Sequence, residues 1–150
     1  MTRWLLAVVL LAGCVEPVDP IVLPDADYAL FVDTVQPVVS ARCSNPSCHG
    51  SADRPLALYA AWQWRMNQED LWSPPPLTEA ELEHNFDQAR AFLVGIEEPL
   101  DSPLLARPLD PDAGGADHAG GVQFSDHTDA DYRAIEDWIS DALLRGDATE

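Results

Sequence analysis

Two cysteines and a histidine lie within one seven-residue segment, and they restrict this chain more than any other feature of its sequence. Four residues separate Cys43 from Cys48, and His49 follows the second cysteine directly. Asn45 and Pro46 are turn formers, so the intervening residues can bulge away from the two thiols. The 150 residues contain only one other cysteine, which lies near the N-terminus. The two thiols of this segment can therefore bond to each other or to one shared group.

Three chemistries fit the segment, and the residues alone leave all three open. In the first, Cys43 and Cys48 attach one haem covalently and His49 is its proximal axial ligand, as in Cys-x-x-Cys-His motifs. The spacing here is two residues longer, but the Cys-His adjacency that fixes the axial ligand is retained. In the second, the cysteines form a disulfide, because exported compartments are oxidising. In the third, the three side chains bind a metal ion that needs a fourth ligand.

The first fourteen residues have the pattern of a bacterial export signal. Arg3 precedes an apolar run over residues 4–11, which is too short to span about 30 Å of hydrocarbon. The run ends in Leu-Ala-Gly-Cys, which resembles the lipobox of bacterial lipoproteins. We therefore predict a signal peptide over residues 1–13 and lipidation of Cys14, whose two acyl chains anchor the protein to a bilayer. Val15 after the cysteine favours the outer membrane of a Gram-negative-type cell envelope.

The rest of the chain divides into a tether, one domain and a short tail. Residues 14–26 contain three prolines and few helix formers, which indicates an extended tether behind the lipid anchor. Residues 27–146 are long enough to bury one core, and we predict a single domain there. Residues 147–150 form a C-terminal tail.

Apolar residues at near-helical spacing predict the first two helices of this domain. The first covers residues 27–42, with a kink or a break at Pro37. The second covers residues 79–95, where Thr78 and Glu81 make a capping-box pair.

The last helix has the clearest signals. Thr128 or Asp129 caps it, and it ends at Gly146. Residues 56–66 are expected to form one or two helical turns. Residues 97–128 lack periodicity and read as a long, glycine-containing loop. No run alternates as a strand does, so the predicted class is all-α with long loops.

Residues 27–145 resemble the cytochrome c-like domains of bacterial periplasmic lipoproteins. In such domains a Phe-x-x-x-Val-x-Pro helix leads into the haem motif, and Ser-x-Leu-Leu, His-x-Gly-Gly and terminal Trp-Ile segments follow. The matching segments here are Phe31–Val39, Arg42–Cys43, Cys48–Gly50, Ser102–Leu105, His118–Phe124, Asp131–Tyr132 and Trp138–Ile139.

The resemblance implies a cytochrome c-like helical domain in which the first and last helices cross and pack. It also implies one covalent haem c, bound through the Cys43 and Cys48 thioethers with His49 as proximal ligand. Such a protein is an electron carrier rather than an enzyme, and its partners are redox proteins.

A haem that only transfers electrons usually has a second axial ligand. We predict His118 as the distal ligand, because Gly120 and Gly121 let the backbone approach the macrocycle closely. Met66 is the alternative. His84 is expected to be exposed on the second helix, and His127 is expected at the surface near the last helix.

Charge limits the partners further. Acidic residues outnumber basic ones by 26 to 8, which gives a net charge of −18. Phosphate backbones repel such a protein, so nucleic-acid binding is excluded. A redox partner with a basic docking patch is allowed, and the acidity also fits a role in solubility alone.

Three functional hypotheses follow. The first is a c-type haem lipoprotein that transfers single electrons in the cell envelope. The second is a haem-free surface lipoprotein with a Cys43–Cys48 disulfide, acting as a structural or binding module. The third is a haem enzyme or sensor with an open sixth coordination position.

Overall fold

Helices and irregular segments make up the structure, a computed structural model that describes residues 21–73 and 76–147. Within these ranges, extended pairing is limited to isolated bridges, Ala60 with Trp64 and Leu109 with Phe124. The predicted all-α class is therefore confirmed. The predicted signal peptide, Cys14 and the start of the tether lie outside the described residues. No helix in the described ranges is both long enough and apolar enough to cross a bilayer.

The first helix, α1, runs without a break from Tyr28 to Cys43. The Asp27 side chain caps it by accepting a hydrogen bond from the Leu30 N–H at 2.9 Å. Pro37 does not break it, because the helix widens on both sides of the proline, which lacks an N–H. The α-helical parts are Tyr28–Leu30 and Gln36–Val38, and the π-helical parts are Phe31–Val35 and Val39–Cys43.

The expected helical turns over residues 56–66 are wrong. The segment instead folds back on itself, and the Ala60 N–H donates to the Trp64 carbonyl at 2.9 Å. Asn85 accepts from the Tyr59 N–H and donates to the Tyr59 carbonyl, both at 2.8 Å. A distant side chain thus satisfies the backbone groups that a helix would have paired.

The second helix, α2, covers Glu79–Arg90 and begins with the predicted capping box. The Glu81 N–H donates to Thr78 Oγ1 at 3.3 Å, and the Thr78 N–H donates to a Glu81 carboxylate oxygen at 2.9 Å. The helix narrows into a 3₁₀ turn, Ala91–Leu93. The helical segment thus ends two residues before the predicted end at Gly95, which takes a φ of +73°, a conformation that favours glycine.

The long segment before the last helix is mainly irregular, as predicted, but short helical turns interrupt it. Each begins with a proline at its first position, where the missing N–H has no helical partner to lose. They are the 3₁₀ turn Pro99–Asp101, the helix α3 over Pro103–Ala106 and the 3₁₀ turn Pro111–Ala113.

The last helix, α4, covers Ala130–Asp147 and packs against α1. The ring centres of Phe31 and Trp138 are 5.3 Å apart, and Trp138 Nε1 donates to the Asp27 carbonyl at 3.0 Å. An ion pair of 2.6 Å joins Arg145 to Asp27. Burying each large apolar side chain here contributes about 1.5–3 kcal/mol. This packing fixes α1, so the residues at its C-terminal end have a defined position.

Candidate functional site

A cavity of about 410 Å³ opens between the second half of α1, α3 and the loop that carries His118. Its size lies within the range of about 300–1,000 Å³ that is typical of small-molecule sites. Most of the lining is apolar. The apolar lining includes Val35, Val39, Leu56, Phe92, Leu104 and Ile135.

The cavity brings together four residues that the sequence singled out. Cys43, Cys48, His49 and His118 all line it. Met66 does not line it and is 44% exposed. The glycine-rich loop and the cysteine segment, which are about seventy residues apart in sequence, thus meet at one site.

The cysteine segment folds as a compact set of turns around Asn45. The Asn45 carbonyl accepts from the Cys48 N–H at 2.8 Å and from the Gly50 N–H at 3.0 Å. The His49 N–H donates to the Cys43 carbonyl at 3.1 Å. Asn45 and Pro46 are exposed, whereas both cysteines are partly buried. Ser44 stays buried, whereas Asn45, Pro46 and Ser47 bulge outward, as the turn-forming types of Asn45 and Pro46 predict.

Gly50 is required by this arrangement. A Cβ atom at this position would lie 2.0 Å from the Ser44 backbone oxygen, which is far below any contact distance. Ser44 is itself fully buried, and its hydroxyl donates to the Ser40 carbonyl at 2.6 Å. The residue after His49 thus packs directly on the backbone at the end of α1, which holds the histidine beside the cavity.

Both cavity histidines have the same ring nitrogen bound to backbone. His49 Nδ1 lies 2.9 Å from the Leu56 carbonyl, and His118 Nδ1 lies 3.0 Å from the Gly121 carbonyl. A carbonyl only accepts, so each neutral ring carries its proton on Nδ1 and keeps a lone pair on Nε2. Neither Nε2 atom has a hydrogen-bond partner in residues 21–73 and 76–147. Each histidine is therefore prepared to bind a metal through Nε2.

The two imidazole rings lie close together in a nearly parallel, stacked arrangement. Their centres are 6.0 Å apart and their planes differ by 10°. Metal–nitrogen bonds of about 2.0–2.1 Å, plus about 1.1 Å from each nitrogen to its ring centre, separate opposite imidazole ligands by about 6.3 Å. A Cβ atom at Gly120 would come 3.0 Å from His118 Cε1, so the glycine leaves room for the ring.

Burial sets the protonation states of the site. It lowers the pKa of His49, and the nearby His118 and Arg54 lower it further, although the Leu56 hydrogen bond opposes them. The His49 ring is therefore neutral at pH 7, the form that binds a metal. Burial raises the pKa of Cys43 to about 11, even though Arg42 lies beside it. The Cys43 thiol thus stays protonated and is not the thiolate that disulfide exchange needs.

Arg42 fixes the far wall of the cavity, and the sequence analysis did not identify this role. Its Nε donates to an Asp131 oxygen at 2.6 Å, and its Nη1 donates to the Gln123 carbonyl at 2.6 Å. The guanidinium carbon lies 5.2 Å from the centre of the Phe124 ring. The end of α1 is thereby joined to the loop of His118 and to the first turn of α4. The available signal was an arginine next to Cys43 in a chain rich in acids.

The other two histidines lie away from the cavity. His84 was expected to be exposed, which is wrong. It is half-buried, its Nε2 lies 3.0 Å from the Ala57 carbonyl, and its ring centre is 4.7 Å from that of Tyr59. The fold-back of residues 56–66 covers it, and periodicity along α2 could not reveal that. His127 is exposed, as predicted, and its Nδ1 lies 3.0 Å from the Tyr132 hydroxyl.

The described residues do not form a direct metal cluster. No three His, Cys, Asp or Glu side chains in residues 21–73 and 76–147 converge closely enough to hold a metal ion. Cys43 and Cys48 are free thiols in the structure. Two thiols and two imidazoles are instead spread around a cavity large enough for an organic group.

Comparison of the chain with protein-family models, with curated proteins and with solved structures gave no match. The residues and geometry of the cavity are therefore the basis for assigning a function.

Proposed function

We propose that this protein is a c-type haem-binding lipoprotein with a cytochrome c-like fold, which transfers single electrons in the cell envelope. The observation that carries the proposal is the nearly parallel imidazole pair of His49 and His118, on a cavity that Cys43 and Cys48 also line. Two thiols, two available Nε2 atoms and an apolar lining are the groups that one covalently bound haem requires.

Cys43 and Cys48 hold the haem in this proposal. Each thiol would add its S–H across one vinyl C=C bond, so that the S–H bond and the π bond break as one carbon–sulfur and one carbon–hydrogen bond form, without a net change of oxidation state. The outward bulge at Asn45 and Pro46 supports this role, because it absorbs the two extra residues of the spacing. Both sulfurs would have to reach the vinyl positions, which the porphyrin fixes, and both cysteines line the same cavity.

His49 is the proposed proximal ligand and His118 the distal one. The hydrogen bonds of both Nδ1 atoms to backbone carbonyls support this assignment, since they orient the rings and make Nε2 the ligating atom. The position of Met66 outside the cavity argues for His118 over the methionine alternative.

Two histidine ligands favour electron transfer over catalysis, because they leave no open coordination position for a substrate. When bound, haem iron supplies the redox chemistry by alternating between Fe(III) and Fe(II) as one electron enters from one partner and leaves to another. The protein supplies orientation and a low dielectric through Val35, Leu104 and Ile135. We expect a potential below that of a His/Met site of similar exposure.

The envelope location is part of the same proposal. The lipobox-like segment before Cys14 supports a lipid anchor, and Val15 supports the outer membrane of a Gram-negative-type bacterium. The net charge of −18 supports redox partners that dock through a basic patch and speaks against nucleic acid.

A pyridine haemochrome spectrum of the denatured full chain, expressed with a c-type maturation system, tests the proposal. A covalent haem band is expected, and replacing both Cys43 and Cys48 by alanine should abolish it. A colourless protein about 2 Da lighter than its reduced form would overturn the proposal in favour of the disulfide-containing module.

The distal ligand needs a separate test. His118→Ala should convert a low-spin spectrum to a high-spin one, because the sixth ligand is lost. His127→Ala is the matched control, since His127 is exposed and does not line the cavity. An unchanged spectrum in the His118 variant would exclude His118 as a ligand.

A further inference from the structure

We infer that Arg107 is the anion contact of this cavity and pairs with a carboxylate at the edge of the bound tetrapyrrole. The inference rests on the proposed function and assigns a role that the motif residues do not cover. Arg107 follows α3 directly, lines the cavity and is exposed at its mouth. It thus lies where a charged edge of a largely buried ligand would meet solvent.

The distribution of charges singles Arg107 out. Seven arginines lie within residues 21–73 and 76–147, and four of them form ion pairs with carboxylates. Arg54, Arg107 and Arg133 form no ion pair with any described residue, although acidic residues outnumber basic ones by 26 to 8. Of these three, Arg107 alone lines the cavity. The paired arginines are Arg42, Arg65, Arg90 and Arg145.

The hydrogen bonds of Arg107 leave most of its donors available. Its Nη1 donates to the Asp117 carbonyl at 3.0 Å, which is one of five N–H donors on a guanidinium. Arg42 also lines the cavity, but its three nitrogens are bound to Asp131, Gln123 and Asp129. Arg107 is therefore the cavity arginine that can offer a two-pronged donor pair to a carboxylate.

The chemistry of haem supplies the matching partner. Its two vinyl groups, which the thiols would bind, lie on one edge, and its two propionates lie on the other. A propionate beside the Asp117 carboxylate would be repelled, since Asp117 lines the same wall. The cation of Arg107 offsets that repulsion, and its loss should favour the oxidised, more positive iron.

The test compares the reduction potentials of full-length holoproteins carrying Arg107→Gln, Arg107→Lys or Arg133→Gln. Arg133 is a matched control, because it is exposed, has no carboxylate partner among the described residues and lies outside the cavity. Arg107→Gln should lower the potential relative to Arg133→Gln, and high salt should shrink the difference. Arg107→Lys should restore most of the potential, since it keeps the charge.

Two further measurements distinguish an ion pair between Arg107 and the tetrapyrrole carboxylate from a purely structural role of Arg107. The potential of Arg107→Gln should depend on pH between about pH 5 and pH 9, because a carboxylate without its cationic partner has a raised pKa. The low-spin spectrum should stay intact.

Equal potentials in Arg107→Gln and Arg133→Gln would overturn the inference and leave the proposed function standing. Loss of the low-spin spectrum in both Arg107 variants would also overturn it, since Arg107 would then act through Asp117 on the position of His118. A wild-type protein without covalent haem would overturn both this inference and the proposed function.

Discussion

Replacing the buried Glu81 by glutamine is expected to destabilise the protein by about 3 kcal/mol at neutral pH. The Glu81 and Arg65 side chains are 0% and 2% exposed. The carboxylate accepts from Arg65 Nε and Nη2 and from the Met66 N–H, all at 2.8 Å, and from the Thr78 N–H at 2.9 Å. One side chain thus joins the N-terminus of α2 to residues 65 and 66, and glutamine would leave the Arg65 charge buried without its partner.

The magnitude follows from the pKa of Glu81. Burial acts to raise it, but the hydrogen bonds from Arg65, Met66 and Thr78 outweigh burial and lower it from 4.5 to about 2. Since one pKa unit corresponds to about 1.4 kcal/mol, this difference contributes about 3 kcal/mol to the free energy of unfolding. The folded-state pKa is the lower one, so the contribution is complete above about pH 4.5 and is lost as the pH falls towards 2.

Chemical denaturation followed by circular dichroism at about pH 7 and pH 3 measures this effect. Glu83→Gln is the control, because it removes the same charge from an exposed position on the same helix and should cost at most about 0.5 kcal/mol. The stability gap between wild type and Glu81→Gln should narrow at pH 3. The reasoning would be refuted if Glu81→Gln and Glu83→Gln were equally stable at pH 7. It would also be refuted if the stability difference between wild type and Glu81→Gln were the same at pH 3 as at pH 7.

Two other substitutions have defined outcomes. Gly50→Ala should lower the thermal midpoint, because its Cβ would collide with the Ser44 backbone oxygen. If the proposed haem is bound, its yield should fall as well. Gly146→Ala, with open space at its Cβ, should change neither. Asn85→Ala should cost about 3 kcal/mol and speed amide exchange over residues 56–66, because it leaves both backbone groups of Tyr59 without their partner. Unchanged exchange in that segment would contradict the assigned role.

The helices were predictable because their signals are local. The capping box at Thr78 and Glu81 and the apolar spacing of α4 are properties of neighbouring residues, and both helices begin where those signals place them. Residues 56–66 were not predictable in this way. Their backbone partner is Asn85, more than twenty residues further along the chain, so no window of local sequence contains the interaction that decides their conformation.

The candidate site also has one part that local sequence predicts and another that depends on long-range contacts. Cys43, Cys48 and His49 lie within seven residues of sequence, and their position on one cavity follows from the local turns around Asn45. His118 was suggested by the glycines that follow it, but its approach to His49 depends on long-range contacts of Arg42. The proposed role of Arg107 follows from the ion pairs that the other arginines form, and those pairs depend on side-chain positions and not on residue types.

The π-helical turns of α1 also determine which direction its last residue faces. In an ordinary α-helix of 3.6 residues per turn, every fourth residue lies slightly further around the helix axis than the one before it. A π-helical turn holds about one residue more and compensates for this rotation. Phe31, Val35, Val39 and Cys43 can therefore form one straight column, whose first three members are at most 3% exposed. Deleting a single residue near Pro37 would turn the Cys43 thiol away from the face that Phe31, Val35 and Val39 share, even if the helix itself still formed.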